Sequence, residues 1–242
     1  MTKLNRRATF AGLFALSLAA CETTDLTVLN DILGSGALSQ AEAAQGIRAA
    51  LDNGILSALG IVGREGGFLN DGQIRIPLPK VLQDVQNVMN MVGAGGLLSE
   101  LEVQLNRGAE KAAPVAKDIF LSAVRNLTIT DAINIVRGPD NAATEYLQAN
   151  TASKLTDLFS PIMETALQNT GALQLFDQLA GNLRGVPLAP QLGADAKRDL
   201  IGHGVNYALD GVFHYVAKEE AAIRENPAKR TSEILRRVFG YV

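Results

Sequence analysis

The sequence predicts an all-α fold: a single multi-helix bundle domain crossed by one short extended strap at about residues 72–79. Three observations carry that reading. Hydrophobic residues are 47% of the 242-residue chain, enough to pack a core, yet aromatics are only 5% and Trp is absent, while Ala, Leu and Gly abound. A core of small and aliphatic side chains suits closely packed helices better than a sheet rich in Val, Tyr and Trp. Apolar residues recur at spacings of three and four in one segment after another, which lines them up on one face of a helix. Gly and Pro punctuate these segments where helices should end, and neither an internal repeat nor a low-complexity linker divides the chain.

The first helix starts at Ser39-Gln40-Ala41-Glu42, whose spacing is that of a capping box. Its stripe is Ile47, Ala50, Leu51, Ile55, Ala58, Leu59 and Val62, with Gly63 as the stop. GGFLNDGQIRIPLP, residues 66–79, breaks the pattern. Ile74, Ile76 and Leu78 alternate as in a strand, but Pro77 and Pro79 cannot donate to a ladder and push the residues before them into extended conformations. This is the strap. Pro79 then opens a helix striped by Leu82, Val85, Val88, Met89 and Val92 and ended by Gly93.

Residues 97–127 read as helix with a break near Pro114, which suits the first residue of a second helix. Thr130 and Asp131 begin a short helix that ends at Gly138. Asp140 caps another, Thr151 or Ser153 begins a longer one to Thr170, and Gly171 closes it. GVPLAPQLGAD, residues 185–195, is a loop by its Gly and Pro content. Ile201, Val205, Ala208, Leu209, Val212, Phe213 and Val216 mark the buried face of a long helix reaching about Arg224. Pro227 interrupts it before a last helix from about Lys229 to Gly240.

Ahead of this domain lies an export signal. Lys3, Arg6 and Arg7 precede a thirteen-residue apolar stretch from Ala8 to Ala20, and small residues lead to Cys21, the only cysteine. About 20 residues are needed to cross a bilayer, so the stretch reads as a removable signal. Leu18-Ala19-Ala20-Cys21 resembles the lipobox of bacterial lipoproteins. That resemblance implies cleavage between Ala20 and Cys21 and lipidation of the Cys21 sulfur, and each buried acyl methylene adds about 0.8 kcal/mol of membrane affinity. The resulting organisation is a signal peptide at 1–20, a lipidated terminus and tether at 21–38, and the helical domain at 39–242.

Glu22 stands where, in the enterobacterial sorting scheme, an Asp retains lipoproteins in the inner membrane, so it favours the outer membrane. Arg6-Arg7 resembles a twin-arginine signal, but Thr9 departs from its preference for an apolar residue, and the export route stays open. Removing the signal takes the formal charge from −3 to −6. The mature domain therefore lacks the basic footprint of a nucleic-acid binder.

Five ordered stretches, GGFLNDGQIRIPLP, LNRGAEKAAPVAKDIF, GPDNAATEYL, ALDGVF and IRENPAKRTSEILRRVFG, together resemble the bacterial DUF4197 family, from about Leu38 to Gly240. Small departures stand at Leu105-Asn106-Arg107-Gly108, where the family often has Met-Asn-Arg-Ala, and at Glu145, where it often has Gln. The resemblance implies an all-helical domain, commonly exported, with no established activity and no catalytic residue to carry over.

Chemistry-bearing patterns are scarce. His203 and His214 are the only histidines, eleven residues apart on one helix and about 16 Å apart in rise, too far to clasp one metal. Both point away from the apolar stripe and read as surface residues. Nucleophile elbows, phosphate-cradling glycine motifs and zinc or calcium spacings are absent, so no cofactor is expected.

A polar cluster remains: Asn106, Arg107 and Glu110 on one helix, then Asp131, Asp140, Thr144 and Glu145, with Asn141 and Tyr146 beside them. Arg107 and Glu110 are three residues apart and share a face. Meeting Asp140 or Glu145 in a cleft, they would form an acidic site with a positioning arginine, suited to hydrolysis or polar-ligand binding. The plainer reading makes Arg107 and Glu110 an ion pair between helices, with Asp140 and Thr144 capping and decorating a turn.

The tail KRTSEILRRVFG, residues 229–240, suits an amphipathic helix on anionic lipid or, more commonly, one docked on the core. The expectation is thus a non-enzymatic envelope lipoprotein, held at a membrane by the lipid on Cys21 and binding an envelope protein or lipid. The alternatives are a hydrolase built on the Arg107, Glu110 and Asp140 neighbourhood, and a lipid-handling domain with an apolar cavity.

Overall fold

The structure is a computed structural model that describes residues 40–91, 96–169, 171–183 and 195–226. The signal stretch, Ala20 and Cys21, the Ser39 cap, the Gly93 stop, most of the 185–195 loop and the 229–240 tail lie outside the described residues. What is described is all-α, as the periodicity predicts.

Helix α1, Gln40–Val62, buries every member of its expected stripe, and the Gly63 N–H closes it on the Leu59 carbonyl at 2.9 Å. After the strap, α2 spans Lys80–Met91, its first turn set by Leu82 and Gln83 N–H groups donating to the Pro79 carbonyl. Helix α3, Gly96–Ala112, runs into a 3-10 turn at Ala113–Ala116 and then α4, Lys117–Arg125. Pro114 therefore sits in the connecting turn, and the second helix begins three residues after it. A proline without an N–H is accommodated by tightening the turn, which keeps Ala112, Ala113 and Ala116 buried.

Helix α5, Ile129–Arg137, is capped by Thr128, two residues ahead of the expected start at Thr130. Next, α6 runs unbroken over Ala142–Asn169, so no new helix begins at Thr151 or Ser153. Thr151 instead turns its hydroxyl back onto the Leu147 carbonyl at 2.6 Å, satisfying itself in mid-helix rather than capping an end. Gly171, at φ +80°, closes α6 in the left-handed region where glycine carries no Cβ penalty.

A further helix unforeseen from the sequence, α7, follows at Ala172–Leu183, although Leu173, Phe176, Leu179 and Leu183 form a three-and-four stripe that marks it. Last comes α8, Ala196–Glu225, the longest element. It lies at the centre, packed against α1, α3 and α6, while α7 packs on α3 and the short α4 and α5 lean on α1 and α6. Among the described residues no single helix is long and apolar enough to cross a membrane.

The strap is less extended than expected. Residues 71–75 turn about Asp71, whose carbonyl accepts from Ile74 and Arg75 N–H and whose side chain accepts from Gln73 N–H at 2.9 Å. Residues 75–79 form neither helix nor turn. The Asp-Gly pair favours a turn over a strand, because an aspartate side chain can cap the backbone two residues on. Phe68, Ile74, Ile76 and Leu78 are nonetheless buried, so the strap belongs to the core and lies against α8. Close approach depends on Gly211, where an added Cβ would stand 2.5 Å from Phe68 Cε1. Burying each such large apolar side chain contributes about 1.5–3 kcal/mol.

Candidate functional site

The polar cluster divides into two buried centres. The first is on α3 and faces the strap. Backbone N–H groups of Phe68 and Leu69 donate to Glu110 Oε1 at 3.2 and 3.1 Å, and Arg107 donates to Glu110 Oε2 at 2.8 Å. Arg107 also reaches the exposed Glu65 at 3.1 Å. Its ion pair with Glu110 is thus within one helix, with a second arm to Glu65 just ahead of the strap. The Glu110 bond raises the already high pKa of Arg107, so the guanidinium stays charged.

Asn106 lies fully buried one turn earlier. Its Oδ1 accepts from Ile76 N–H at 2.9 Å, while its Nδ2 donates to the Ile76 carbonyl at 2.8 Å and to Glu102 O at 2.9 Å. A single amide side chain replaces the neighbouring strand that Ile76 lacks. Backbone polar groups buried without partners are costly, and this arrangement lets a sheetless segment enter the core.

Helix α8 holds the other side of the strap. His203 Nε2 stands 2.7 Å from the Pro77 carbonyl, and since a carbonyl only accepts, that nitrogen carries the proton. His214 Nε2 contacts Gln73 Oε1 at 3.0 Å. The Tyr215 hydroxyl donates to Asp71, and this bond, aided by Gln73 N–H and more weakly by Lys218 and His214, holds the Asp71 carboxyl below its ordinary range against the opposing effect of desolvation. The expectation of surface histidines is corrected: both are half-buried latches on the strap. They point away from the apolar stripe of α8 because a second segment of chain covers that face.

The second centre was not foreseen. Glu220, buried on α8, accepts from Ala143 N–H, Thr144 N–H and the Thr144 hydroxyl, each at 2.8 Å. Arg224, one turn on, bridges to Glu220 at 2.9 Å and donates to the Ile135 carbonyl at 2.6 Å. An acid thus caps the positive N-terminus of α6 while an arginine caps the negative C-terminus of α5. The sequence does carry a signal: Glu220 stands four residues after Val216 and three before Ile223, inside the buried stripe. A charge in such a stripe is stable only when paired and hydrogen-bonded.

The other members of the cluster have local roles. Asp131 forms a reciprocal capping box with Thr128, accepting its N–H at 2.9 Å while Thr128 Oγ1 accepts Asp131 N–H at 3.1 Å. Glu145 accepts from Asn141 on the surface at 2.9 Å. Asp140 is exposed in the turn before α6, where the amides it was expected to cap go to Glu220. Thr144 is buried against Glu220.

Arg107 and Glu110 do not meet Asp140. Glu110 holds Phe68, which packs on Gly211 of α8, whereas the Asp140 turn is held at Glu220, nine residues or roughly 13 Å farther along that helix. Among the described residues no group of three or more His, Cys, Asp or Glu is placed to hold a metal ion.

The family model described as a protein of unknown function (DUF4197) matches residues 37–240. No curated protein and no solved structure matches the chain.

Proposed function

The chain belongs to the DUF4197 family, whose function is unknown, and from that premise we propose that it is a membrane-tethered envelope lipoprotein whose helical domain acts by binding an envelope protein or lipid. The observation that carries the tether is Leu18-Ala19-Ala20-Cys21 behind a basic and apolar leader, which favours lipid on Cys21 and, through Glu22, the outer membrane. Two or more acyl chains hold a domain stably at a surface, so no spanning helix is required of it.

Binding is favoured over hydrolysis by the positions of the polar residues. Asn106 and Glu110 satisfy backbone groups of the strap, Arg107 pairs with Glu110, and the Thr144 hydroxyl donates to Glu220, so these groups are already engaged. The test is to replace Cys21 with Ala and fractionate the cells. The protein should leave the membrane fraction and keep its leader. Membrane attachment with an unchanged mature terminus would end the lipoprotein reading.

A further inference from the structure

The first and last described helices put their outer ends at one pole of the bundle. Where α1 and α8 meet, Ile47, Ala50 and Leu51 gather with Glu220, Ile223 and Arg224 around a small apolar opening of about 20 Å³. Farther along α1, a Cβ added at Gly54 would stand 3.5 Å from Glu219 Cβ and 3.7 Å from Ile223 Cδ1. Past the end of α1, Phe68 packs on Gly211 of α8. Rising numbers on one side meet falling numbers on the other, so the two helices are antiparallel. Gln40, which opens α1, and Glu225, which ends α8, therefore share a pole. The turn between α5 and α6 joins them there, because Arg224 donates to the Ile135 carbonyl and the Ala143 N–H donates to Glu220.

What the chain carries beyond each of these ends differs. Cys21 stands nineteen residues before Gln40, a length that reaches at most about 65 Å. A lipid there limits the distance of the domain from a membrane and leaves its direction open. After Glu225 the sequence turns basic: Lys229, Arg230, Arg236 and Arg237 fall within nine residues that hold one acid, Glu233. Ile234, Leu235, Val238 and Phe239 lie among them. From Cys21 onward the formal charge is −6, of which this basic stretch contributes +3, leaving −9 on the rest. The apolar opening beside the end of α8 has room for about one water molecule, too little for four such side chains.

We propose that segment 229–239 binds the anionic lipid headgroups of the membrane that holds the lipid on Cys21, so that the pole shared by Gln40 and Glu225 faces that membrane. Each basic residue near an anionic surface multiplies affinity roughly fivefold, and the apolar side chains suit the boundary between headgroups and acyl chains. The rest of the chain, at −9, is repelled by the same surface, which turns this pole and no other toward it. Lipid on Cys21 keeps the headgroups at high local concentration, so the segment needs only a weak affinity of its own. The inference rests on the membrane-tethered reading and adds to it the class of lipid and the orientation of the domain.

The chain has no Trp, so Phe239→Trp in the full lipidated protein gives a single fluorescent reporter. The protein is reconstituted by detergent removal into vesicles of phosphatidylcholine alone or of an equal mixture with phosphatidylglycerol. Tryptophan emission should shift to the blue and lose its quenching by acrylamide on the mixed vesicles only. Adding about 1 M NaCl, which shortens the screening length to roughly 3 Å, should reverse both effects. Lys229→Gln, Arg230→Gln, Arg236→Gln and Arg237→Gln together should abolish the shift, with helix content by circular dichroism as the control for folding. The same emission on both kinds of vesicle overturns the proposal: exposed on both, the segment ignores lipid, and buried on both and in detergent, it is docked on its own domain. A shift that survives high salt or the four substitutions overturns it too. Flotation of the unchanged chain with the neutral vesicles reads the tether separately. A chain that fails to float loses the tether reading, while the difference between the two vesicles still decides the basic contact.

Discussion

Glu110 and Glu220 both collect backbone N–H groups from a distant stretch of chain, and both stand beside an arginine on their own helix, yet their surroundings differ. Glu110 holds an irregular strap, and Arg107 behind it is 27% exposed and reaches on to Glu65, itself 87% exposed. Glu220 holds a helix N-terminus, and Arg224 behind it is 8% exposed. Water can therefore replace part of what is lost at the strap and very little at the helix ends. The comparison teaches that the same pairing of an acid, an arginine and backbone amides can be a tolerant clamp or a critical one, according to what solvent can reach.

The largest test of that difference is Glu220→Ala. It removes the acceptor of three donors and the carboxylate facing a buried guanidinium, and should cost about 3–5 kcal/mol in urea unfolding. Replacing the pair together, Glu220→Gln with Arg224→Met, should recover part of the loss; a single variant within 1 kcal/mol of the parent would break the distinction. Glu110→Ala should cost about 1–3 kcal/mol. Hydrogen exchange locates that effect: Phe68 and Leu69 amides lose protection while Ala143 and Thr144 keep theirs. Equal loss at all four would mean that the two centres unfold as one.

Thr128→Ala sharpens the comparison by removing a local cap instead of a remote one. A capping-box threonine is worth about 1 kcal/mol, so Tm should fall by only a few degrees. Still smaller is the effect of Tyr215→Phe. Asp71 has its pKa depressed in the folded protein, so its contribution is present above the unfolded value and is lost as pH falls through the folded one. Without the Tyr215 bond that contribution shrinks, and the decline in stability on acidification below about pH 4 should become shallower. An unchanged acid limb would show that the latch does not couple to stability. Glu65→Ala, at the exposed end of the strap clamp, should move stability by less than about 0.5 kcal/mol.

Much of this architecture was legible in the sequence because helices announce themselves locally. The stripe from Ile47 to Val62, the Gly63 and Gly171 stops and the apolar face of α8 need only a 3.6-residue period and a glycine to be recognised. The errors came where two local signals compete. Thr151 looks like a cap, yet a threonine hydroxyl can bond back within an unbroken helix. Pro114 was located correctly as a break, but the choice between a new helix and a 3-10 turn depended on the packing of Ala112, Ala113 and Ala116.

The polar residues were the less legible part. Asn106, Arg107 and Glu110 stand out in the sequence as polar candidates on one helix, but the strap residues that Asn106 and Glu110 bond lie 30 to 42 residues away in the chain. Ala143 and Glu220 are 77 residues apart, and no spacing rule joins them.

By itself, then, the sequence determined the helical class, the faces that turn inward and the family to which residues 37–240 belong. Only the tertiary structure decided what the buried polar groups do. Periodicity is a property of neighbours along the chain, whereas a hydrogen bond from Phe68 N–H to Glu110, or from Ala143 N–H to Glu220, exists only after distant segments have been brought within 3.2 Å and water has been removed from between them.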